Sequence, residues 1–424
     1  MGRFLQQSHR VHPDNREMKK TIAILMILGI CGLDSYAQWY LFPGRRKARQ
    51  EAAIIKDTVS TIQAAPGTAQ PDPEEIIQTD ERQETEVEAE NIFPDEINLS
   101  IILPLHAGSQ PNSNFFEMYC GALLAVRDLG ESGIKMNVNV FDSADESNPV
   151  SVEQLQESHV IFGPVAPEEI KDILKICPEN TYVISPLDPK VAAYADSYRI
   201  IQSPASWTQQ YDELADWIRE ETLPGDRIVL MNDNPMGEQS SYMISKLKQK
   251  GLDFSAVSKV SELGSFPSGT SRIVMVSDND SYINISVREL GNQIFRKDNI
   301  CLYTTSRVRN TIGAEAKHLY NMHTRMTAAY YIDYSGTEVR DFILKYRALF
   351  KAEPGSFAFQ GYDAIHYFVN MCEKFGAQWH RNLNEYSERG LQTDYEFLNP
   401  EGKGYINKAV RRIVYNNDMS IVLQ

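Results

Sequence analysis

Residues able to do chemistry are sparse in this sequence and lie far apart. Its 424 residues include eight histidines and five cysteines. His318 and His323 stand five apart with no third ligand nearby in sequence, a pattern better suited to a surface than to a metal. No two cysteines form a C-x-x-C pair, so a thiolate zinc site is not expected. Asp278-Asn279-Asp280 begins like a calcium loop. Ile283 then occupies the sixth position, where the tight turn needs glycine, and a helix N-cap is the better account. Phosphate-binding loop, dinucleotide fingerprint, zinc-protease helix and nucleophile elbow are all missing from the sequence. No enzymatic activity, metal or cofactor is expected.

What remains is a set of small, polar clusters suited to hydrogen-bonding a small molecule. His106, Ser109 and Asn112 form one, and Ser185-Pro186-Leu187-Asp188 another. Asn232-Asp233-Asn234, Ser277 to Asp280 and Thr304 to Arg307 follow later in the chain, with the aromatics Tyr330, Tyr331 and Tyr334 near them. The candidate ligand-binding residues are His106, Ser185 and Asp188 on one side and Asn234 and Asp278 on the other. Tyr331 would cover an apolar part of the ligand. Two acids, Asp188 and Asp278, would favour a cationic or polyhydroxyl ligand. The competing account is structural: Asn, Asp, Ser and Gly also build strand–helix turns and N-caps, worth about 1 kcal/mol each.

The elements that must position these clusters alternate. Strands are expected at Leu99–Pro104, Lys135–Phe141, His159–Gly163 and Thr181–Ser185, with helices at Phe115–Leu129, Glu168–Cys177 and Trp207–Glu221. The rhythm then restarts. Strands Arg227–Asn232, Phe254–Val260, Arg272–Ser277, Ile300–Thr304 and Met326–Ile332 interleave with helices Gly237–Lys250 and Tyr282–Phe295. Long helices at Glu338–Phe350 and Phe357–Phe375 precede a β-rich tail from Asp394 to Leu423. Strands separated by 10–15-residue helices imply right-handed βαβ units and parallel sheets. A rhythm run twice, with a break near Ser203-Pro204, predicts an α/β protein of two doubly wound, Rossmann-like lobes. Residues 97–203 form the first lobe and 204–332 the second; 333–390 return to the first, and 391–424 add a β-rich segment to the second. In such sheets ligands sit outside the carboxyl ends of the strands, where the polar clusters fall.

Charge and composition describe the rest of the chain. Lys+Arg number 42 against 57 Asp+Glu, a net charge of −15, which argues against a protein held on nucleic acid. From Pro71 to Glu96 there are eleven acidic residues against one basic, Arg82. With Pro66, Pro71, Pro73 and Pro94 in or beside it, that stretch cannot bury enough apolar surface to fold. Residues 38–96 are therefore expected to be a disordered acidic linker. Ahead of it, Lys19-Lys20, the apolar run Ile22–Ile30 and Ser35-Tyr36-Ala37 form a secretory signal peptide. Residues 1–37 thus comprise that signal and an upstream extension, with Met18 as the expected start and cleavage after Ala37. The rival reading acylates Cys31, though Ile30 stands where a lipoprotein signal needs a small residue. The apolar run is too short to span a bilayer, so no integral membrane segment is expected after cleavage. Cys120, Cys177, Cys301 and Cys372 read as buried thiols, with room for one disulfide.

Several stretches resemble the type I periplasmic binding proteins, nearest to the branched-chain amino-acid receptors of ABC importers. They are Arg199-Ile-Ile-Gln-Ser-Pro, Gly225-Asp226-Arg227-Ile-Val-Leu, and the helix Val339-Arg-Asp-Phe-Ile-Leu-Lys-Tyr-Arg-Ala-Leu-Phe. Glu353-Pro354 and Phe359-Gln360-Gly361-Tyr362-Asp363-Ala364 complete the set. The resemblance covers Ile97 to Gln424; versions of the module behind peptidoglycan-binding LysM domains are also similar, although residues 38–96 contain no such repeat. It implies two lobes closing on a ligand, with crossovers near Ser203, Ile332 and Gly390. The family's serine-rich turn is replaced here by Gly163-Pro164-Val165-Ala166. Its second hydroxyl position falls at Asp188, so an amino-acid clamp matches poorly. The resemblance implies a periplasmic protein binding an amino-acid-like or other polar solute for import or sensing, with an ABC permease as partner. The alternative is a non-transport cell-envelope scaffold or regulator of peptidoglycan synthesis on the same fold, with peptidoglycan-synthesis proteins as partners.

Overall fold

The Ile- and Leu-rich stretch Ile97–Leu103 is buried almost throughout, as an interior strand flanked on both faces must be. In the computed structural model, described over residues 9–11, 93–194, 198–265, 268–294, 299–312, 316–400 and 404–424, this strand lies inside the first sheet. Met136–Asp142 lies parallel on one side of it and Val160–Phe162 on the other. Val183–Ser185, Ile200–Gln202 and Tyr405–Asn407 continue the parallel order, and Phe397–Leu398 closes that edge antiparallel. At the opposite edge His9–Val11 pairs antiparallel with Met136–Val138, so this strand comes from upstream of Met18. The expected export signal, the acylation site Cys31 and all but the last four residues of the acidic segment lie outside the described residues.

The second sheet orders its parallel strands Phe254–Val257, Arg227–Asn232, Ser271–Val276, Ile300–Thr305 and Arg325–Ala328. Arg411–Tyr415 and Ile421–Leu423 are added antiparallel. Each sheet has its own core. Leu99, Phe162, Ile184 and Phe368 meet in the first, and Met231, Ile273, Leu302 and Ile413 in the second. Helices flank both sheets, giving two doubly wound α/β lobes. Two short helices, Arg307–Ile312 and Lys317–Asn321, fall where none was expected, between Ile300–Thr305 and Arg325–Ala328.

The first lobe is closed by an unusually tight helix pair. Ser113–Glu131 starts at Asn112, whose side chain accepts from the Asn114 and Phe115 amides. It packs on Ser356–Phe375 through two reciprocal glycines. A Cβ at Gly121 would stand 1.8 Å from the Ala358 carbonyl oxygen, and one at Gly361 would stand 2.0 Å from that of Met118. Only glycine permits that approach.

The tail differs from its sequence-based placement. Asp394–Tyr395, Phe397–Leu398 and Tyr405–Asn407 belong with the first lobe, and only Arg411–Leu423 joins the second. Aromatic packing decides this. Tyr395 and Phe397 are buried in the first core, Tyr395 stacked on Tyr367 with ring centroids 4.7 Å apart. The third passage between sheets is therefore Lys408–Val410 and not the neighbourhood of Gly390. The strand expected at Met326–Ile332 stops at Ala328, because Ala329–Asp333 is the second passage.

Candidate functional site

The three passages converge on one buried polar cluster, and it begins with Asp363. This carboxylate sits on the apolar face of its helix and accepts from the Leu391, Gln392 and Thr393 amides at 2.8, 2.7 and 2.9 Å. Burial pushes its pKa up to about 6, against the pull of those three amides and of Arg411. The segment it holds lies against the second passage, where the Tyr331 amide donates to the Gln392 carbonyl at 3.0 Å. Arg411, only 4% exposed, donates to the carbonyls of Tyr331, Leu391 and Gly390 and to the Asp394 carboxylate. Asn407, at the near end of the third passage, donates to the Ser203 carbonyl of the first at 2.8 Å and to the Asp394 carbonyl at 2.8 Å. Both ends of the third passage are thus tied to the other two. The cluster has the makings of a hinge.

On the first lobe, the strand ends carry the expected residues in varied roles. His106 is exposed with φ of 54°, in a loop whose Leu105, His106 and Ala107 amides donate to Asp142. Gly163 has φ of +90°, and a Cβ there would lie 1.9 Å from the Ile102 carbonyl oxygen, so that turn admits no larger residue. Asp188 is occupied locally: its carboxylate accepts from the Lys190 amide at 2.8 Å. Ser185 is fully buried at the end of Val183–Ser185, and its hydroxyl has no partner among the described residues. The next carbonyl, Pro186, accepts from Gln360 at 2.7 Å, and the same amide nitrogen reaches the Tyr330 hydroxyl at 3.0 Å.

On the second lobe, Asn234 is exposed and its carbonyl accepts from the Gly237 amide in a turn. The Asp278 carboxylate accepts from Gln239 at 2.6 Å, and its carbonyl accepts from Arg307. Asn279 caps the helix Asp280–Ile294 by accepting from the Ser281 and Tyr282 amides, so this acidic run is a helix start. Among the described residues no cluster of three or more His, Cys, Asp or Glu could hold a metal. Asn232, 1% exposed at the end of Arg227–Asn232, has a side-chain oxygen without a partner among the described residues. Tyr331 is buried in the second core with Arg309 4.8 Å from its ring centroid.

Ser185 and Tyr331 are connected through Pro186, Gln360 and Tyr330, so two of the expected residues lie on one continuous path across the hinge. His106, Asp188, Asn234 and Asp278 have no direct bond to it. The sequence reading did not single out Arg411, Asn407 or Arg309; it named Asn232 only within a polar turn, and Gln360 and Asp363 only within a stretch of family resemblance. Asp363 alone carried a signal: it is a carboxylate four residues after Phe359 and four before Tyr367, on the apolar stripe of a helix. The four described cysteines are free and buried. Burial pushes Cys120 and Cys372 up to about 12 and Cys301 up to about 11. No described helix is long and apolar enough to cross a membrane.

No protein-family model matches the sequence, and no curated protein is similar to it. Similarity is found among solved structures. A branched-chain amino acid ABC transporter protein from Rhodospirillum rubrum aligns with TM-score 0.54 at 14% identity, covering 78% of this chain and 100% of that one. The C-domain of LpoA from Haemophilus influenzae, a regulator of PBP1A, aligns with TM-score 0.49 at 16% identity over 77% of this chain and 99% of its own. LivJ from Streptococcus pneumoniae, in complex with isoleucine, gives 0.43 at 14% identity over 78% and 99%. At such identities the likeness is one of fold. This chain has the two-lobed α/β fold of the type I periplasmic binding proteins.

Proposed function

We propose that the protein is an exported, periplasmic solute-binding protein that closes its lobes on a polar small molecule, for import or sensing. The observation that carries the reading is a pair of buried, unpartnered polar atoms at strand carboxyl ends, the Ser185 hydroxyl on one lobe and the Asn232 amide oxygen on the other. An orphaned buried polar group costs about 1–3 kcal/mol, so each calls for a partner. Open α/β sheets take ligands at that edge. A solute touching both lobes would stabilise the closed form, because closure is favoured only by contacts made in it. The hinge formed by Arg411, Asn407 and Asp363 provides the pivot.

The experiment is a thermal-shift screen of a metabolite library, followed by small-angle scattering with each hit. A hit that raises the melting temperature, shrinks the radius of gyration and is lost in Ser185→Ala supports the reading. A broad screen with no hit refutes it. One observation favours the second reading, a cell-envelope scaffold or regulator of peptidoglycan synthesis. Asp142 and Asp363 spend both carboxylate oxygens on the protein's own amides, and Asp188 spends one. On that reading the partners are peptidoglycan-synthesis proteins in place of an ABC permease. Failure of the screen would leave it standing.

A further inference from the structure

The turn between the short strands Glu388–Arg389 and Asp394–Tyr395 is gripped from two sides. Arg411 takes its carbonyls, those of Gly390 and Leu391. Asp363 takes its amides: Oδ1 accepts from Leu391, and Oδ2 accepts from both Gln392 and Thr393. The Gly390 amide closes the turn on the Thr393 carbonyl at 3.1 Å. The carboxylate fills the space inside, since a Cβ on Gly390 would stand 2.8 Å from its carbon and 2.9 Å from Oδ2. Gln392 and Thr393 are buried, and the Gln392 carbonyl receives the Tyr331 amide of the second passage. What holds this turn therefore holds the hinge.

Three amides on two oxygens require an ionised carboxylate. A neutral carboxyl carries a hydrogen on one oxygen, and that oxygen then meets an N–H donor with a donor of its own. A hydrogen on Oδ2 would displace two amides, whereas one on Oδ1 displaces only that of Leu391. The smaller loss is at Leu391. The other polar groups around the site are committed. Arg411 is paired with Asp394. Burial pushes the hydroxyls of Tyr330, Tyr331, Tyr362, Tyr367 and Tyr395 up, so they stay neutral. One turn along the helix, His366 is engaged by Glu388 at 3.0 Å and Asn370 at 3.2 Å. Burial raises the Asp363 carboxyl to about 6, against the pull of the three amides and Arg411. The neutral form is thus reached in mild acid, and because the folded state favours it, the lobe stays folded there.

We propose that Asp363 is a proton-operated clamp on the hinge: ionised, it ties residues 390–393 to the first lobe, and on acidification it lets go of Leu391 and frees the lobes to move. The clamp needs no solute, so it serves a binding protein and a scaffold alike. The test is amide hydrogen exchange of the full chain from about pH 7.5 to about pH 5, expressed as protection relative to an unstructured chain. We expect the protection of Leu391 to fall about tenfold or more, while Ile97–Leu103 keep theirs. Spin labels on Lys171→Cys in the first lobe and Lys248→Cys in the second, both exposed positions, are placed in a Cys31→Ser background. Their distance distribution should broaden over the same range. Asp363→Asn sets an NH₂ group where the proton would be, so Leu391 should be poorly protected at both ends of the range. His366→Gln should leave the transition in place. Flat protection of Leu391 in the natural protein, a transition abolished by His366→Gln, or label distances indifferent to pH would each overturn the proposal. Should Asp363→Asn fail to fold, the pH series of the natural protein and of His366→Gln still decides.

Discussion

Replacing Gly121 by alanine should destabilise the first lobe, although helix propensity alone favours alanine by up to about 1 kcal/mol. The added Cβ would lie 1.8 Å from the Ala358 carbonyl oxygen and 2.7 Å from its carbon, both backbone atoms with no rotamer to change. Restoring an ordinary C···O contact of about 3.3 Å requires the two helices to separate by roughly 1.5 Å along a buried face. Overpacking of this kind costs about 1–3 kcal/mol. Contact with backbone places Gly121→Ala near the top of that range, for a net loss of about 2 kcal/mol. In a chain of this size that is a fall of roughly 5 °C in melting temperature. Gly361→Ala should behave alike, since its Cβ would meet the Met118 carbonyl oxygen at 2.0 Å in the same helix pair. One separation relieves both clashes, so the double variant should fall short of the sum by about 1 kcal/mol. Scanning calorimetry and urea unfolding of the four proteins measure the cycle. A raised melting temperature in Gly121→Ala, or strictly additive losses, would refute the close-packed pair.

Further perturbations address the hinge, the pH response and the thiols. Arg411→Met should cost about 3–5 kcal/mol in urea unfolding, because it strands three carbonyls and the Asp394 carboxylate in a buried site; a loss under 1 kcal/mol would show that the passages are not held there. His380 stacks on Tyr182 at 4.1 Å, and burial holds its pKa down to about 4. Its neutral form is favoured in the fold, so the stability it contributes is complete above pH about 6.5 and lost as pH falls toward 4. Asp363, raised to about 6, works the other way, favouring the fold as pH falls through that value. His380→Phe should therefore flatten the acid side of the stability profile relative to the natural protein, and an unchanged slope would contradict the burial of its ring. Cys120, Cys301 and Cys372 should react with Ellman's reagent only after unfolding, since burial keeps them protonated; fast labelling of the native protein would count against it.

The sequence by itself determined the elements and their repetition. Period-two and period-3.6 patterning are local properties, so Ile97–Leu103, Arg227–Asn232 and the helix ending at Phe375 could be read within a few residues of their bounds. The α/β class and the two lobes followed, because strands alternating with helices have few ways to cover both faces of a sheet. Helix starts were legible for the same reason, as at Asp278–Asp280. Tertiary structure decided everything that depends on residues distant in sequence. The short strands at Phe397–Leu398 and Tyr405–Asn407 could belong to either lobe until Tyr395 and Phe397 found the aromatic core around Tyr367. Asp188 and Asp278 read as ligand acids because a sequence shows a charge but not the Lys190 amide or the Gln239 side chain that takes it up. Arg309, Arg411 and Asp363 could not be ranked beforehand for the matching reason. Whether an arginine is paired, or an aspartate buried, is a fact about neighbours up to 80 residues away, as the Arg411–Tyr331 contact illustrates, and burial and pairing arise only when the chain has folded.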